Sequence, residues 1–409
     1  MAGLYLVLGL LAAVWTLSLE AGFVDSLPRL RWVMIHFVTI GGLTQAVFGL
    51  LPEIVTAMEA GSRAVDHRYR WLQWGSLNAG YPLVLIGMTR GAPTTTGAGA
   101  AIVLVALSIL LGRLYRLRTP SGGSDQRTRY VRTAPWFLVV GIAAAFGMVF
   151  GVHGPGGYVG SLEAHVHANV WGFLALVVAG VLLTIVPRLY ETQLRFPRLC
   201  AVTYWGLTVG ATGLVVGPWL ARDEVTIGGL VLYVIGTAAL LANAVGTYRR
   251  SDRTGDSRFA LVLGAYAWLL FPVPWAPLVL LFPETVPAPA IEVAAITGLV
   301  FGWMLQPAMA FLPVVAVAAT QRSNGLVDTI PTAAEAVSGP SCLQVGSVNA
   351  GMLLLWAAAV LPVADVGSSL TVWGYLCITV AWAIFVVDLW TSLVGRNVAG
   401  QRPRETPSG

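Results

Sequence analysis

"SLEAHVHANVWGFLALVVAGVLLTIVPRLYET", residues 161–192, decides what kind of molecule this chain makes. From Val170 the segment stays apolar almost to Pro187, about the length an α-helix needs to cross a hydrocarbon core of about 30 Å. It nevertheless opens on His165, His167 and Asn169. A membrane span that begins with two imidazoles and an amide needs a reason for them, because such groups are costly in lipid.

The rest of the chain matches this segment. Apolar residues make up 56% and charged residues 11% of the 409, and the mean hydropathy is +0.76. These values lie far from those of soluble domains and imply an integral membrane protein. Twelve apolar runs recur, at about 3–20, 31–57, 71–90, 97–117, 135–152, 165–187, 200–220, 227–247, 259–282, 290–319, 342–362 and 370–394. The expected fold is therefore all-α, with about 12 transmembrane helices in a single membrane domain over 1–396 and a cytoplasmic tail over 397–409. No basic residue precedes the first run and no small-residue cleavage site is clear, so 3–20 reads as a span and not as a secretory signal. Cys200, Cys342 and Cys377 are scattered, without the spacing of a disulfide framework or a thiolate metal site.

Every one of the 24 basic residues is arginine. On the twelve-span reading only Arg29, Arg31, Arg90 and Arg222 fall on one side, and all the others fall on the opposite side. Basic loop residues resist translocation, so the crowded side is cytoplasmic and both termini lie there, in the plasma membrane. The net charge of +5 thus reflects topology, and nucleic-acid binding is not implied.

Internal similarity divides the chain further. "GGLTQAVFGLLPEI", "GVLLTIVPRLY" and "GWMLQPAMAFLPVV" reach Pro52, Pro187 and Pro313, at intervals of 135 and 126 residues. The next spans carry "LQWGSLNAG" (72–80), "TYWGLTVGATG" (203–213) and "LQVGSVNAG" (343–351); aligned on Gly75, Gly206 and Gly346 they are 131 and 140 residues apart. Both landmarks predict three units of four helices, about 1–120, 130–250 and 256–396. In the LQxGSxNAG copies, Gly75, Ser76 and Ala79, with Gly346, Ser347 and Ala350, are expected to permit close helix contact. Asn78 and Asn349 are expected to hydrogen-bond across helices, since an unsatisfied amide in hydrocarbon costs several kcal/mol.

Of the five histidines, His67 lies in the charged "SRAVDHRYR" loop. His36, His153, His165 and His167 all fall on the outer side of the predicted topology. His165 and His167 are about 200° apart on an ideal helix and cannot both face one metal. Glu163 and His167 share a face, as do His165 and Asn169. His36, His165 and His167 are the candidate cofactor ligands, with His153 and Glu163 as further metal-ligand candidates, and Glu163 is a candidate orienting partner for His167.

Twelve helices in three four-helix units, with a histidine near the outer end of span 2 and another in span 6, resemble the haem–copper oxidase subunit I superfamily. "HVHANVWGFLALVVAGVLLTIVPRLY" is similar to a segment of its short divergent members, including the NnrS-type proteins linked to nitric oxide metabolism. The resemblance implies that His36 corresponds to a low-spin haem ligand, and His165 or His167 to the span 6 histidine that ligates copper in oxidases. It fails in span 7, "CAVTYWGLTVGATGLVV", and in span 10, "AIEVAAITGLVFGWMLQPAMAFLPVVAVAA", neither of which has a histidine. A binuclear haem–copper centre is therefore not expected, and oxygen reduction is excluded. The expected function is a haem b- or copper-binding membrane protein of nitrogen-oxide metabolism or electron transfer, with a redox partner or membrane complex as its associate. Met304 or Glu292 would complete a site. The alternative is a cofactor-free transporter or an assembly scaffold on the same fold. Glu53, Asp365 and Asp388 are poor midplane carriers for the former, and no soluble-enzyme catalytic motif is present.

Overall fold

The computed structural model describes residues 1–58, 67–116, 126–253, 255–282, 284–321, 326–361 and 364–399. The tail from residue 400, Arg63, Arg118, Arg322, Arg402 and Arg404, and the side chains of Asp365 and Arg396 lie outside this set. Among the described residues there is no strand, and each of the expected spans is helical. In chain order they are α1 (Ala2–Glu20); α2, made of Leu30–His36, a π-helical stretch Phe37–Thr44 and Gln45–Met58; α3 (His67–Arg90); α4 (Pro93–Arg116); and α5 (Gln126–Phe150). Next comes α6, made of Gly157–His167, a π-helical stretch Ala168–Leu174 and Ala175–Leu189, followed by α7 (Leu199–Leu220) and α8 (Asp223–Tyr248). Then come α9, made of Ser257–Leu270 and Trp275–Leu281; α10, made of Ala288–Thr297, a π-helical stretch Gly298–Met304 and Leu305–Thr320; α11 (Cys342–Val360); and α12 (Ala364–Ala399).

Among the described residues eleven of these helices are long and apolar enough to cross a membrane. The remaining one, α3, has the length but carries Arg68, Arg70, Gln73, Ser76 and Asn78. Gln73 and Arg70 are paired. Gln73 donates to the Phe48 carbonyl at 2.8 Å and accepts from the buried guanidinium of Arg113 at 2.7 Å, while Arg70 pairs with Glu53 at 2.8 Å. α9 is interrupted at 271–274 because Pro272 and Pro274 cannot continue the backbone ladder. A short helix, Ile330–Glu335, lies between α10 and α11 and has no counterpart among the expected spans.

The chain forms two compact units. One comprises 1–26, 30–38 and 255–409; the other comprises 27–29 and 39–254. In the second, α6 packs against α5, α7 and α8, and 89% of its apolar window is buried, against 33% to 44% for those three neighbours. In the first, α10 is the enclosed helix, also 89% buried, among α9, α11 and α12; α1 packs on α12 and on the start of α2.

The three π-helical stretches begin at residues 37, 168 and 298, spaced by 131 and 130. In α6, Gly172 receives Phe137 of α5, and a Cβ there would lie 2.3 Å from its ring. In α10, Gly302 receives Trp268 of α9, 2.7 Å from such a Cβ. The closest helix pairs are α3 with α4, α7 with α8, and α11 with α12. Their contacts run through Gly80 and Gly99, Gly206 and Gly236, and Gly351 and Gly374.

This packing corrects one expectation. A Cβ on Gly75 or Gly346 would meet nothing within 4 Å, and Ala79 and Ala350 are exposed. The close approach in each LQxGSxNAG copy is made by its last glycine, Gly80 or Gly351, five residues further along the helix. The asparagines behave as expected. Asn78 accepts from Gln45 at 2.9 Å, and Asn349 accepts from Trp268 at 2.8 Å and bonds Gln306 at 3.3 Å.

Candidate functional site: anchored imidazoles

The loop "GPGGYVG" sets the start of α6. Gly156 and Gly160 lie so close to the end of α7 that an added Cβ would be 2.0 Å and 2.2 Å from the Pro218 carbonyl oxygen. Gly156 also donates its backbone N–H to the Trp219 carbonyl at 3.0 Å. With the helix seated there, His165 faces α5 and His167 faces α7, as their two-residue spacing requires.

His165 Nδ1 lies 2.8 Å from the Gly141 carbonyl and His167 Nδ1 lies 2.8 Å from the Leu214 carbonyl. A carbonyl only accepts, so each Nδ1 carries the proton and each Nε2 keeps its lone pair. Among the described residues neither Nε2 is hydrogen-bonded. His36, in the other unit, makes the same kind of bond: its Nδ1 donates to the Trp32 carbonyl at 2.8 Å, and its ring stacks on Trp32 with centroids 3.9 Å apart. All three candidate ligands therefore share one tautomer.

His36 and His167 also share a position, since each is the last residue before a π-helical stretch. Thr297 occupies the corresponding place in α10, where it takes a hydrogen bond from Arg31 at 3.3 Å.

Around the α6 pair, Asn169 donates to the His165 carbonyl at 2.8 Å, and a Cβ at Gly141 would lie 2.5 Å from its amide. Its Oδ1 is buried without a partner among the described residues, as is Nε1 of Trp171. The Trp171 ring stands edge-on to His167 at 5.8 Å and packs on Tyr233 at 4.7 Å. Sequence periodicity could not single out Leu214, Gly141 or Trp171, because the first two act through main-chain carbonyls and the last lies beyond the start of the π stretch.

The remaining candidates behave differently. His153 contacts Ser161 Oγ at 3.3 Å and stands edge-on to Tyr158. Glu163 is exposed and does not orient His167, whose Nδ1 is taken by Leu214. Met304 is buried within the α10 π stretch, and Glu292 is exposed. Among the described residues no three His, Cys, Asp or Glu side chains gather as a metal site. The donor chemistry fits haem, whose iron needs the protein only for axial ligands, and does not fit a copper or zinc ion that draws three or four ligands from side chains.

No protein-family model matches the chain, and no curated protein matches it. Its class rests on the fold: an all-α, multi-pass membrane protein.

Proposed function

We propose that this protein binds haem through an imidazole in the outer half of its helical bundle, and that it serves nitrogen-oxide metabolism or electron transfer in the plasma membrane without being a terminal oxidase. The observation that carries the reading is the shared anchoring of His36, His165 and His167, with Nδ1–H held by a main-chain carbonyl. That bond fixes the ring, sets the tautomer and raises the basicity of Nε2, which is how metal-bound histidines are ordinarily supported. His167 is the α6 ligand in this assignment, because it and His36 hold matching places before π stretches 131 residues apart. His165 then serves to hold α6 against α5.

Bound haem would supply a one-electron iron couple and a coordination position for a small ligand. The chain's own part is to hold the rings, to keep water from them with Trp171 and the enclosing helices, and to present Nε2. Without histidines in α7 and α10 it supplies no second metal. The matched π stretches, the three glycine-seated helix pairs and the paired Gln45–Asn78 and Gln306–Asn349 contacts support a plan of three four-helix units, as in oxidase subunit I. The arginine asymmetry supports cytoplasmic termini.

Absorption spectroscopy of protein purified from haem-replete cells tests the reading. A Soret band is expected, weakened in His167→Ala and retained in His165→Ala. A folded, colourless preparation would overturn it.

A further inference from the structure

The segment before α7 is fastened to the last two turns of α8. Arg195 donates its backbone N–H to Thr247 Oγ1 at 3.1 Å, Phe196 donates to Asn243 Oδ1 at 3.1 Å, and Asn243 returns a bond to the Phe196 carbonyl at 3.0 Å. Asn243 and Thr247 are fully buried, so this clasp is part of the core. Gly246 gives it room, since a Cβ there would lie 2.9 Å from both Arg195 and Phe196. The result is an open hollow of about 580 Å³ with Val245 and Gly246 in its wall and three guanidinium groups around it, those of Arg195, Arg249 and Arg250.

No carboxylate lines the hollow, and among the described residues none of the three arginines forms an ion pair. Arg249 and Arg250 follow the end of α8, where the helix dipole favours cations. Arg195 comes from a different segment, and the dipole of α8 does not explain its presence. Its guanidinium sits over the Phe196 ring at 5.4 Å. The apolar span of α8 ends at Tyr248 and that of α7 begins at Leu199, so the arginines stand where hydrocarbon gives way to headgroups. Three unneutralised cations at that depth, beside an exposed aromatic ring and an aliphatic wall, match a phosphate joined to an acyl chain.

We propose that this hollow binds the headgroup of an anionic phospholipid, with the phosphate on Arg195, Arg249 and Arg250 and the acyl chain along Val245. The site is independent of the haem assignment. The test uses full-length protein, delipidated in a neutral detergent, with thermal stability followed during titration with phosphatidylglycerol, phosphatidylcholine or inorganic phosphate. Phosphatidylglycerol alone is expected to stabilise at low mole fraction. Each Arg→Gln change at 195, 249 or 250 is expected to raise the half-saturating phosphatidylglycerol by about fivefold, and Arg253→Gln is expected to leave it unchanged. Equal stabilisation by phosphatidylcholine, equal stabilisation by free phosphate, or an unaltered response of the triple variant would each overturn the assignment. If the triple variant does not fold, native mass spectrometry of Arg250→Gln decides, because this exposed residue makes no bond that the fold needs. Loss of bound phosphatidylglycerol is expected there, and wild-type occupancy would refute the site.

Discussion

Glycine-to-alanine changes within the two LQxGSxNAG copies should separate by position. In Gly80→Ala the new methyl would lie 2.7 Å from the Gly99 carbonyl oxygen and 2.9 Å from the Val103 nitrogen. Both are backbone atoms of α4, and neither can swing aside. Ordinary contact begins at 3.4 Å, so α3 and α4 must part by roughly 0.7 Å along their tightest stretch. Gly351→Ala meets the Gly374 carbonyl oxygen at 2.8 Å and faces the same demand between α11 and α12. Overpacking of this kind costs about 1–3 kcal/mol, or about five- to 150-fold in the unfolding equilibrium. Gly75→Ala and Gly346→Ala enter open space, and their effect should stay within about 0.5 kcal/mol. Equilibrium unfolding of the four variants in mixed micelles measures the contrast. If Gly75→Ala costs as much as Gly80→Ala, the account of which glycine seats the helix pair is wrong.

Gly172→Ala drives a methyl into the Phe137 ring and should cost a similar amount, but Phe137→Leu should restore part of the loss, since this clash is with a side chain. Unfolding of the two singles and the double variant checks it; no recovery in the double would remove the Gly172–Phe137 seat as the cause. A double-mutant cycle on Gln306→Leu and Asn349→Leu should return a coupling of about 0.6–2 kcal/mol, the range for interhelical hydrogen bonds in membranes. Cys342 is the one exposed thiol at a span end, and on the arginine topology it faces the cytoplasm. A membrane-impermeant maleimide should label it only after permeabilisation, and labelling of intact cells would invert the topology. Finally, Gly141→Ala should displace the Asn169 amide and loosen the His165 bond while leaving any Soret band in place; loss of that band would shift the ligand assignment from His167 to His165.

Much of this architecture could be read from the chain before its coordinates. Length and hydropathy located the eleven helices that, among the described residues, are apolar enough to cross a membrane, because bilayer thickness imposes a run length that composition reveals directly. The Asn78 and Asn349 bonds were foreseeable because a buried amide must find a partner. The seating glycine was not. Gly75 and Gly80 are chemically identical, and only the crossing point of two helices tells them apart. The partners of the imidazoles were hidden for another reason: the Gly141 and Leu214 carbonyls belong to the main chain, which every residue shares. A carboxylate four residues away, Glu163, was the visible candidate, yet it faces outward while a distant carbonyl takes the bond. The hollow beside Arg195 depends on a clasp between segments about 50 residues apart, which no local pattern records.

The π stretches have a consequence for any comparison of this chain with others. A π turn closes its hydrogen bond one residue later than an α turn, so it takes up more residues per revolution. Side chains beyond Thr44, Leu174 and Met304 are therefore out of phase with those before Phe37, Ala168 and Gly298. A helical wheel drawn through α6 at a constant angle misplaces the side chains after Leu174. An alignment to regular helices must open a gap inside α2, α6 and α10, where gap penalties are usually set highest.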